Sequence, residues 1–198
     1  MCLENRDNLD NVIWTDESSV QLKSHCQTMR VKIGQETNFK PVAKHALKVH
    51  VWAGISRRGA TNICVLDKTM DAPLYVQILK NLLVPFIDRA FEGTNYRFMQ
   101  DNYPKHTSRL AKAFYEEEGI KWWPTPVSSA DFNPIERAWE LKYFIARDVK
   151  PMTKKELVDR ITTFWSQRMT VEKCRFHIEH THVVLPKIVD SEGGITGE

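Results

Sequence analysis

The sequence predicts an α/β protein in which a mixed sheet is followed by helices. Three observations support this class: β-prone runs alternate with amphipathic runs, a tight turn joins the second and third strands, and the last part of the chain is helical. The 198 residues suffice for one domain and an appendage. We expect a core over residues 1–150, a helical extension of the same domain over 151–189 and a frayed tail over 190–198.

Five strands are predicted from short runs of β-branched and aromatic residues. They cover Asn11–Trp14, Val49–Ser56, Thr61–Leu66, Tyr96–Met99 and Ile120–Trp123. The turn at Arg57-Arg58 connects the second strand to the third, so the first three strands should form an antiparallel meander. The two later strands extend this sheet, which is therefore mixed.

Five helices are predicted from capping residues and apolar periodicity. They begin near Asp71, Ser108, Asn133, Thr153 and Thr170. Pro85 should bend the second half of the first helix, and Gly119 should end the second. The third helix, with Asn133 as its N-cap and Pro134 at its first position, should continue to about Val149.

Composition excludes several classes of protein. Apolar residues make up 42% and charged residues 27%, which is the composition of a globular domain rather than a disordered chain. There is neither a signal-peptide pattern nor an apolar stretch long enough for a bilayer, so we expect no membrane partner. The four cysteines lie far apart, which is typical of reduced thiols.

Positive charge is clustered although the net charge is only +3. The segment from Thr37 to Leu66 contains basic residues and no acidic one, and a second basic cluster begins at Lys105. Such clusters indicate either a solvated surface or a polyanion partner. The candidate DNA contacts are Lys40, Lys44, Lys48, Arg57, Arg58, Lys105 and Arg109.

Three acidic residues stand at the ends of predicted elements. Asp16 and Asp101 each follow a strand, and Glu136 lies in the first turn of a helix, so all three could meet at one sheet edge. Converging carboxylates need cations, and two Mg²⁺ or Mn²⁺ ions about 4 Å apart would suit phosphoryl displacement. If they cluster, Asp101→Asn should raise stability in metal-free buffer. Taken singly, each acid could also end a strand, form an Asx turn or cap a helix.

Four short segments surround these acids and occur in a fixed order. They are Trp14–Ser18, Val49–Ile55, Gln100–Ser108 and Asp131–Trp139. Together they closely resemble the catalytic core of mariner-superfamily transposases, in particular the Tc branch. Between Asp101 and Glu136 lie 34 residues, the spacing that marks that branch. The resemblance covers nearly the whole chain, from about Asn11 to the tail.

The resemblance implies a ribonuclease-H-like fold in which Asp16, Asp101 and Glu136 are the catalytic, metal-binding triad. Relatives use it to hydrolyse DNA at the ends of a mobile element and to join the freed 3′-hydroxyl to a TA dinucleotide. Asn102 and His106 match the family pattern, and we interpret them as orienting the metal ligands or a phosphate. DNA in the nucleus is the implied partner, and a homodimer is left open.

Three departures separate the chain from the family pattern. Only about fifteen residues precede Asp16, so we expect the N-terminal helix-turn-helix modules that read terminal repeats to be absent. Ala130 and Phe132 replace the usual Pro and Leu before the last acid. Relatives usually have one more residue after Trp139, and this skip would rotate the following helix by about 100° and bring Lys142 to an apolar position instead of Leu141. A catalytically inactive, fossil or domesticated DNA-binding remnant therefore stays the alternative hypothesis.

One further cluster near the C-terminus combines potential metal ligands. Its members are Cys174, His177, His180 and His182. Their spacing follows a helix, but no second ligand pair accompanies them, so an exposed helix side is the favoured interpretation over a zinc site.

Overall fold

The computed structural model describes residues 9–21, 48–123, 133–149, 151 and 153–183. Within these ranges it shows one mixed sheet with helices packed on both faces. The predicted loop before Asn133, the tail, Lys40 and Lys44 lie outside the described residues.

The sheet contains six strands among the residues described. They are β1 (Val12–Gln21), β2 (Lys48–Ser56), β3 (Gly59–Ala60), β4 (Cys64–Leu66), β5 (Arg97–Met99) and β6 (Trp122–Trp123). Strand β2 is antiparallel to β1, β3 and β4, whereas β5 is parallel to both β1 and β6. The order β3-β2-β1-β5-β6 confirms the predicted mixed sheet.

Strand β1 is longer than predicted. We expected it to end at Trp14, but it continues to Gln21 because residues 14–21 pair antiparallel with β2, from Trp14 opposite Ile55 to Gln21 opposite Lys48. Asp16 therefore lies inside a strand rather than after one.

The predicted third strand is divided into β3 and β4. Between its pairs with Ile55 and Trp52, β2 advances three residues while the partner advances four, from Ala60 to Cys64. The extra residue forms a bulge opposite Gly54, whose N–H donates to Thr61 Oγ1 at 2.8 Å. A Cβ on Gly54 would lie 2.9 Å from Thr15 Cγ2, so the close approach of β2 to Thr15 on β1 requires glycine at this position.

The helices confirm the predicted capping signals. They are α1 (Ala72–Ile78), a π-helical turn (Leu79–Leu83), α2 (Val84–Phe91), α3 (Arg109–Glu117), α4 (Ile135–Ala138), α5 (Leu141–Phe144), a second π-helical turn (Ile145–Val149), α6 (Lys154–Arg168) and α7 (Val171–Glu179). Asp71, Ser108, Thr153 and Thr170 each accept a backbone N–H in the first turn. In place of a simple bend at Pro85, the π-helical turn immediately precedes it.

Helices α1 to α3 pack on one face of the sheet, and α4 to α7 pack on the other. Side chains of β1 alternate between the two faces of the sheet. Ile13 packs against α1 to α3, and Trp14 packs against α4 to α7. None of the helices in the described ranges could cross a bilayer.

The predicted helix from Asn133 to Val149 is interrupted at Trp139 and Glu140. Tight contacts, including Glu140 N–H to Arg137 O at 3.1 Å, form a turn between α4 and α5. This turn places Leu141 in the core with no exposed surface and leaves Lys142 only half-buried. The turn thus brings Leu141 rather than Lys142 into the core, because burial of the apolar side chain is favoured over continuation of a regular helix.

Helix α7 buries the side that carries Cys174 and His177. Cys174 and His177 are 0% and 1% exposed, because their side of α7 packs toward α4, β2 and β3. The expectation of an exposed side was therefore wrong for these two residues. No group of three or more potential metal ligands occurs among the described residues, here or elsewhere.

Candidate active site

Two predicted acids lie at the same level of the sheet. Parallel pairing between β1 and β5 ends with Trp14 opposite Met99. Asp16 stands two residues further along β1, and Asp101 follows two residues after the last residue of β5. Thr15 Oγ1 donates to Met99 O at 3.0 Å and holds the two strands together at this point. The parallel register therefore brings Asp101 toward the part of β1 that carries Asp16.

Asn133 connects the third acid to this edge. Its Nδ2 donates to Thr15 O at 3.2 Å, and its Oδ1 accepts from Ile135 N at 3.3 Å. Helix α4 begins at Ile135, one residue later than predicted, so Pro134 precedes the helix. The amide thus fixes the helix start that carries Glu136 against the strand residue next to Asp16.

Asp16 lies in a low-dielectric position beside a second carboxylate. Burial and the negative charge of Glu136 raise its pKa to about 7, although a hydrogen bond from Trp139 opposes the shift. That bond runs from Trp139 Nε1 to Asp16 Oδ2 at 3.0 Å. Two like charges in this position favour either a proton or a cation between them.

Asp101 has a different environment. One of its oxygens, Oδ1, accepts from His106 Nδ1 at 2.5 Å and from Tyr103 N at 3.1 Å. Burial alone would raise its pKa, but these hydrogen bonds and the charges of His106 and Lys105 lower it. The side chain is 58% exposed, and no residue in the described ranges bonds Oδ2, which is left for another ligand.

His106 joins Asp101 to Glu17, an acid that the sequence analysis did not single out. Its Nε2 lies 2.7 Å from Glu17 Oε1, and Lys105 Nζ lies 2.6 Å from Glu17 Oε2. Burial would lower the pKa of His106, but hydrogen bonds to the two carboxylates outweigh it and raise the pKa to about 9. At neutral pH the ring is therefore an imidazolium clamped between carboxylates. Consecutive side chains of a strand point to opposite faces of the sheet, so Glu17 faces away from Asp16. This alternation was the one sequence signal that could have indicated a separate role for Glu17.

A buried polar network supports the turn that carries His106. Tyr115 OH donates to His106 O at 3.0 Å and accepts from Gln100 Nε2 at 2.7 Å. The hydroxyl of Tyr75 donates to Gln100 Oε1, and the Tyr75 ring lies 4.3 Å from the His106 ring. These contacts fix the residues that follow β5.

The structure therefore brings Asp16 and Glu136 together, and the three acids do not form one ligand set within the described residues. Asp16 and Glu136 interact directly through charge, whereas Asp101 is held toward His106. This corrects the expectation for Asp101→Asn: the Asp101 carboxylate is stabilised by an imidazolium, so its removal relieves no repulsion from the other acids.

Arg57 and Arg58, two of the candidate DNA contacts, lie away from the acids. They lie at the other end of β1, where Arg57 pairs with Asp10 at 2.9 Å. Arg58 donates to Ala90 O at 2.8 Å, and its guanidinium lies 4.6 Å from the Phe91 ring centroid. Both side chains hold the turn after β2 in place. Their positive charges therefore have a structural role that needs no bound phosphate.

The other predicted basic residues have mixed positions. Lys105 is next to the acids but is bound to Glu17. Arg109 is exposed at the start of α3, and Lys48 is exposed at the start of β2. Asn102 is exposed in the turn that follows Asp101.

Comparison with known proteins assigns this domain to a family. Residues 11–158 match the family model described as DDE superfamily endonuclease. The chain belongs to this family. It is 34% identical over 136 residues to the Tcb1 transposase of Caenorhabditis briggsae, and 32% over 117 residues to the Tcb2 transposase of the same organism. The matches cover 66% and 59% of this chain but only 50% and 42% of the relatives, so the chain spans about half their length.

Solved structures show the same fold as this DDE domain. The Mos1 mariner paired end complex with Mn has a TM-score of 0.78 at 18% identity, covering 96% of this chain and 58% of that chain. The catalytic domain of Mos1 mariner transposase has a TM-score of 0.73 at 17% identity, covering 97% and 87%. These likenesses confirm the predicted ribonuclease-H-like fold, and the sequence matches confirm the mariner/Tc relationship.

The donor set of the DDE domain fits a hard divalent cation. All three candidate ligands are carboxylates, the donors that Mg²⁺ and Mn²⁺ prefer. The raised pKa of Asp16 beside Glu136 reflects a repulsion that a cation would offset. Asp101 has one oxygen fixed by His106 and the other oxygen available, which is the arrangement expected of a ligand oriented by a second residue.

Proposed function

We propose that this chain is the catalytic domain of a transposase that cleaves and joins DNA with two divalent metal ions. Asp16, Asp101 and Glu136 are the proposed catalytic residues and metal ligands. The observation that carries the proposal is the charge coupling of Asp16 and Glu136 in a DDE domain, with Asp16 on the strand beside the one that Asp101 follows. Mg²⁺ or Mn²⁺ bound there would activate the attacking oxygen and stabilise the leaving one.

The residues around the acids have positioning roles in this proposal. Trp139 holds one oxygen of Asp16, and His106 holds one oxygen of Asp101. Asn133 keeps the start of α4 against β1 and thereby sets the position of Glu136 relative to Asp16. The carboxylates of Asp16 and Asp101 thus each have one oxygen held by a hydrogen bond.

DNA is the proposed substrate and partner, and the nucleus the proposed location. The neighbouring structures include a Mos1 paired-end complex with a left transposon end, which supports DNA as the ligand of this fold. Phosphate contacts position a duplex without reading its sequence, so we propose that these 198 residues bind DNA with little sequence preference. Element ends and a TA target are the proposed sites of the complete reaction. A homodimer is the proposed assembly, which light scattering would measure.

The alternative of an inactive remnant loses one of its arguments. It rested partly on the skip after Trp139, but the turn there keeps Leu141 in the core and leaves Trp139 bonded to Asp16. The geometry of the site therefore favours the catalytic hypothesis.

A nicking assay tests the proposal. Supercoiled DNA is incubated with the chain in Mn²⁺, in Mg²⁺ and in EDTA, and the variant Glu136→Gln is compared with Asp88→Asn, an exposed acid on α2. We expect metal-dependent nicking by the wild type and by Asp88→Asn, with loss of about a hundredfold or more in Glu136→Gln. Nicking that survives EDTA, or that is equal in all three proteins, would contradict the proposed function.

A further inference from the structure

A groove of about 1010 Å³ opens beside the candidate active site. It runs from the end of β1 across α4 and α5 to α7, and Glu136 forms part of its wall. Its volume is at the upper end of the range for ligand pockets, about 300 to 1,000 Å³, so it has room for an extended ligand. The groove and the proposed metal site therefore share a residue.

Two aromatic side chains project from its walls. Tyr143 on α5 is 80% exposed and Phe176 on α7 is 58% exposed, although both are large and partly or fully apolar. Aromatic rings presented to solvent in a groove are the surfaces on which unpaired bases stack. An ordinary duplex has its bases already stacked and would leave both rings unused.

His177 lies at the base of the same groove with unused hydrogen-bonding capacity. The side chain is 1% exposed, and neither Nδ1 nor Nε2 has a partner among the described residues. A buried polar group without a partner is costly, which points to a ligand that completes it. Burial and the charge of Lys173 lower the pKa of His177 to about 4, so the neutral ring offers one donor and one acceptor.

The groove also carries positive charge. Arg137 and Lys142 line it, and no ion pair engages either of them in the described ranges. Glu140, the nearby acid, is already paired with Lys173 at 2.8 Å. Cations between exposed rings suit a phosphate backbone that carries bases, and they argue against an apolar peptide or a lipid chain.

We propose that this groove binds a single-stranded segment of the DNA substrate, next to the bond that is cleaved. Bases stack on Tyr143 and Phe176, a base or sugar group completes the hydrogen bonds of His177, and Arg137 and Lys142 contact phosphates. The inference rests on the proposed function, since it assigns the groove to the same DNA. It adds that the strands separate at the site and that one of them follows α5 and α7.

The test compares DNA affinities in EDTA, where no cleavage occurs. Fluorescence anisotropy gives the dissociation constants of the wild-type chain for a blunt duplex and for the same duplex with a short 3′ or 5′ overhang. We expect one overhang to bind more tightly, and Tyr143→Ala or Phe176→Ala to reduce that advantage roughly tenfold. Tyr143→Phe keeps the ring and should keep the advantage. Leu110→Ala, an exposed apolar position on α3 at the opposite face of the sheet, is the control.

Several results would overturn the inference. They are equal affinity for blunt and overhanging DNA, an overhang advantage untouched by both alanine variants, and the absence of any DNA binding. A lower melting temperature of the alanine variants with unchanged DNA preference would show that another part of the chain covers the groove, which also overturns it. Because the assay contains no metal, failed cleavage with an intact overhang advantage counts against the proposed catalysis alone, and intact metal-dependent nicking without that advantage counts against this inference alone.

Discussion

The indole Nε1 of Trp139 donates a 3.0 Å hydrogen bond to Oδ2 of Asp16. Trp139 is itself 3% exposed, and its ring centroid lies 5.7 Å from that of Trp165 on α6. The first acid of the site is thus bonded to the turn that ends α4, and this turn is held in the core by the packing of Trp139 against Trp165. The position of Asp16 therefore depends on the helical layer as well as on the sheet.

Replacing Trp139 with Phe keeps the ring in the core and removes the donor to Asp16. We expect a loss of about 1.5 to 3 kcal/mol at pH 8, where the carboxylate is ionised, and a smaller loss at pH 5, where it is protonated. Urea unfolding in EDTA measures both. Trp165→Phe is the matched control, since it removes a donor to Thr61 O and should cost the same at both pH values. An identical pH dependence in the two variants would contradict the role given to Trp139.

Neutralising Asp16 and neutralising Asp101 should have opposite effects on stability without metal. At pH 8, Asp16→Asn should raise the free energy of unfolding by about 1 to 3 kcal/mol, because it removes a buried charge that Glu136 repels. Asp101→Asn should lower it by about 1 kcal/mol, a modest cost because the carboxylate that bonds His106 is more than half exposed. Chemical unfolding in EDTA measures the change in the free energy of unfolding for both variants. A stabilising effect of Asp101→Asn would show that the other acids repel Asp101, as the sequence suggested.

The gain from Asp16→Asn should itself depend on pH. Between about pH 4 and 7, wild-type Asp16 is protonated in the folded chain and ionised in the unfolded one, so wild-type stability falls as pH rises through this range. The variant lacks this slope. The stability difference should therefore be small at pH 4 and reach a plateau above pH 7.

His177 should make the protein sensitive to acid. Its pKa is about 4 in the folded chain, owing to burial and the charges of Lys173 and Arg137, with Glu140 acting in the opposite direction. Between pH 6.5 and 4 the unfolded chain binds a proton that the folded chain does not, so stability falls as pH falls, by up to about 1.4 kcal/mol per pH unit. His177→Leu should remove this slope in urea unfolding. A parallel decline in both proteins would show that other groups cause it.

Arg57 and Arg58 should contribute to stability rather than to DNA affinity. Each phosphate contact changes the slope of log affinity against log salt concentration by about 0.9. Arg57→Ala and Arg58→Ala should leave that slope unchanged, because both side chains have partners within the protein. Arg57 pairs with Asp10, and Arg58 donates to Ala90 O in α2. Both variants should lower the melting temperature. A slope that flattens by about one unit in either variant would restore that arginine to the DNA interface.

Local signals predicted the helix starts well. Asp71, Ser108, Thr153 and Thr170 cap helices because each needs only a backbone N–H within its own first turn. The length of β1 was not predictable in this way. The polar run that follows Trp14 has no strand pattern of its own and becomes a strand because β2 supplies its hydrogen bonds.

The site shows the same division between local and distant contacts. The three acids were identified from the segments around them, but the partners of Asp16, and the carboxylate that His106 holds besides Asp101, are far away in the chain. Glu17 and His106 are separated by 89 positions, and Asp16 and Trp139 by 123. The contact of Asp101 with His106, five positions away, is local and matches the predicted orienting role of His106, whereas nothing local indicates that Asp16 lies beside Glu136.

Calorimetric titration with Mn²⁺ tests most directly whether these carboxylates form a metal site. The full chain is titrated at pH 8 and compared with Asp101→Asn and with the control Asp88→Asn, an exposed acid on α2. The account predicts Mn²⁺ binding by the wild type and by Asp88→Asn, and an affinity at least tenfold lower in Asp101→Asn, about 1.4 kcal/mol. Equal binding by all three proteins, or no binding by the wild type, would contradict it.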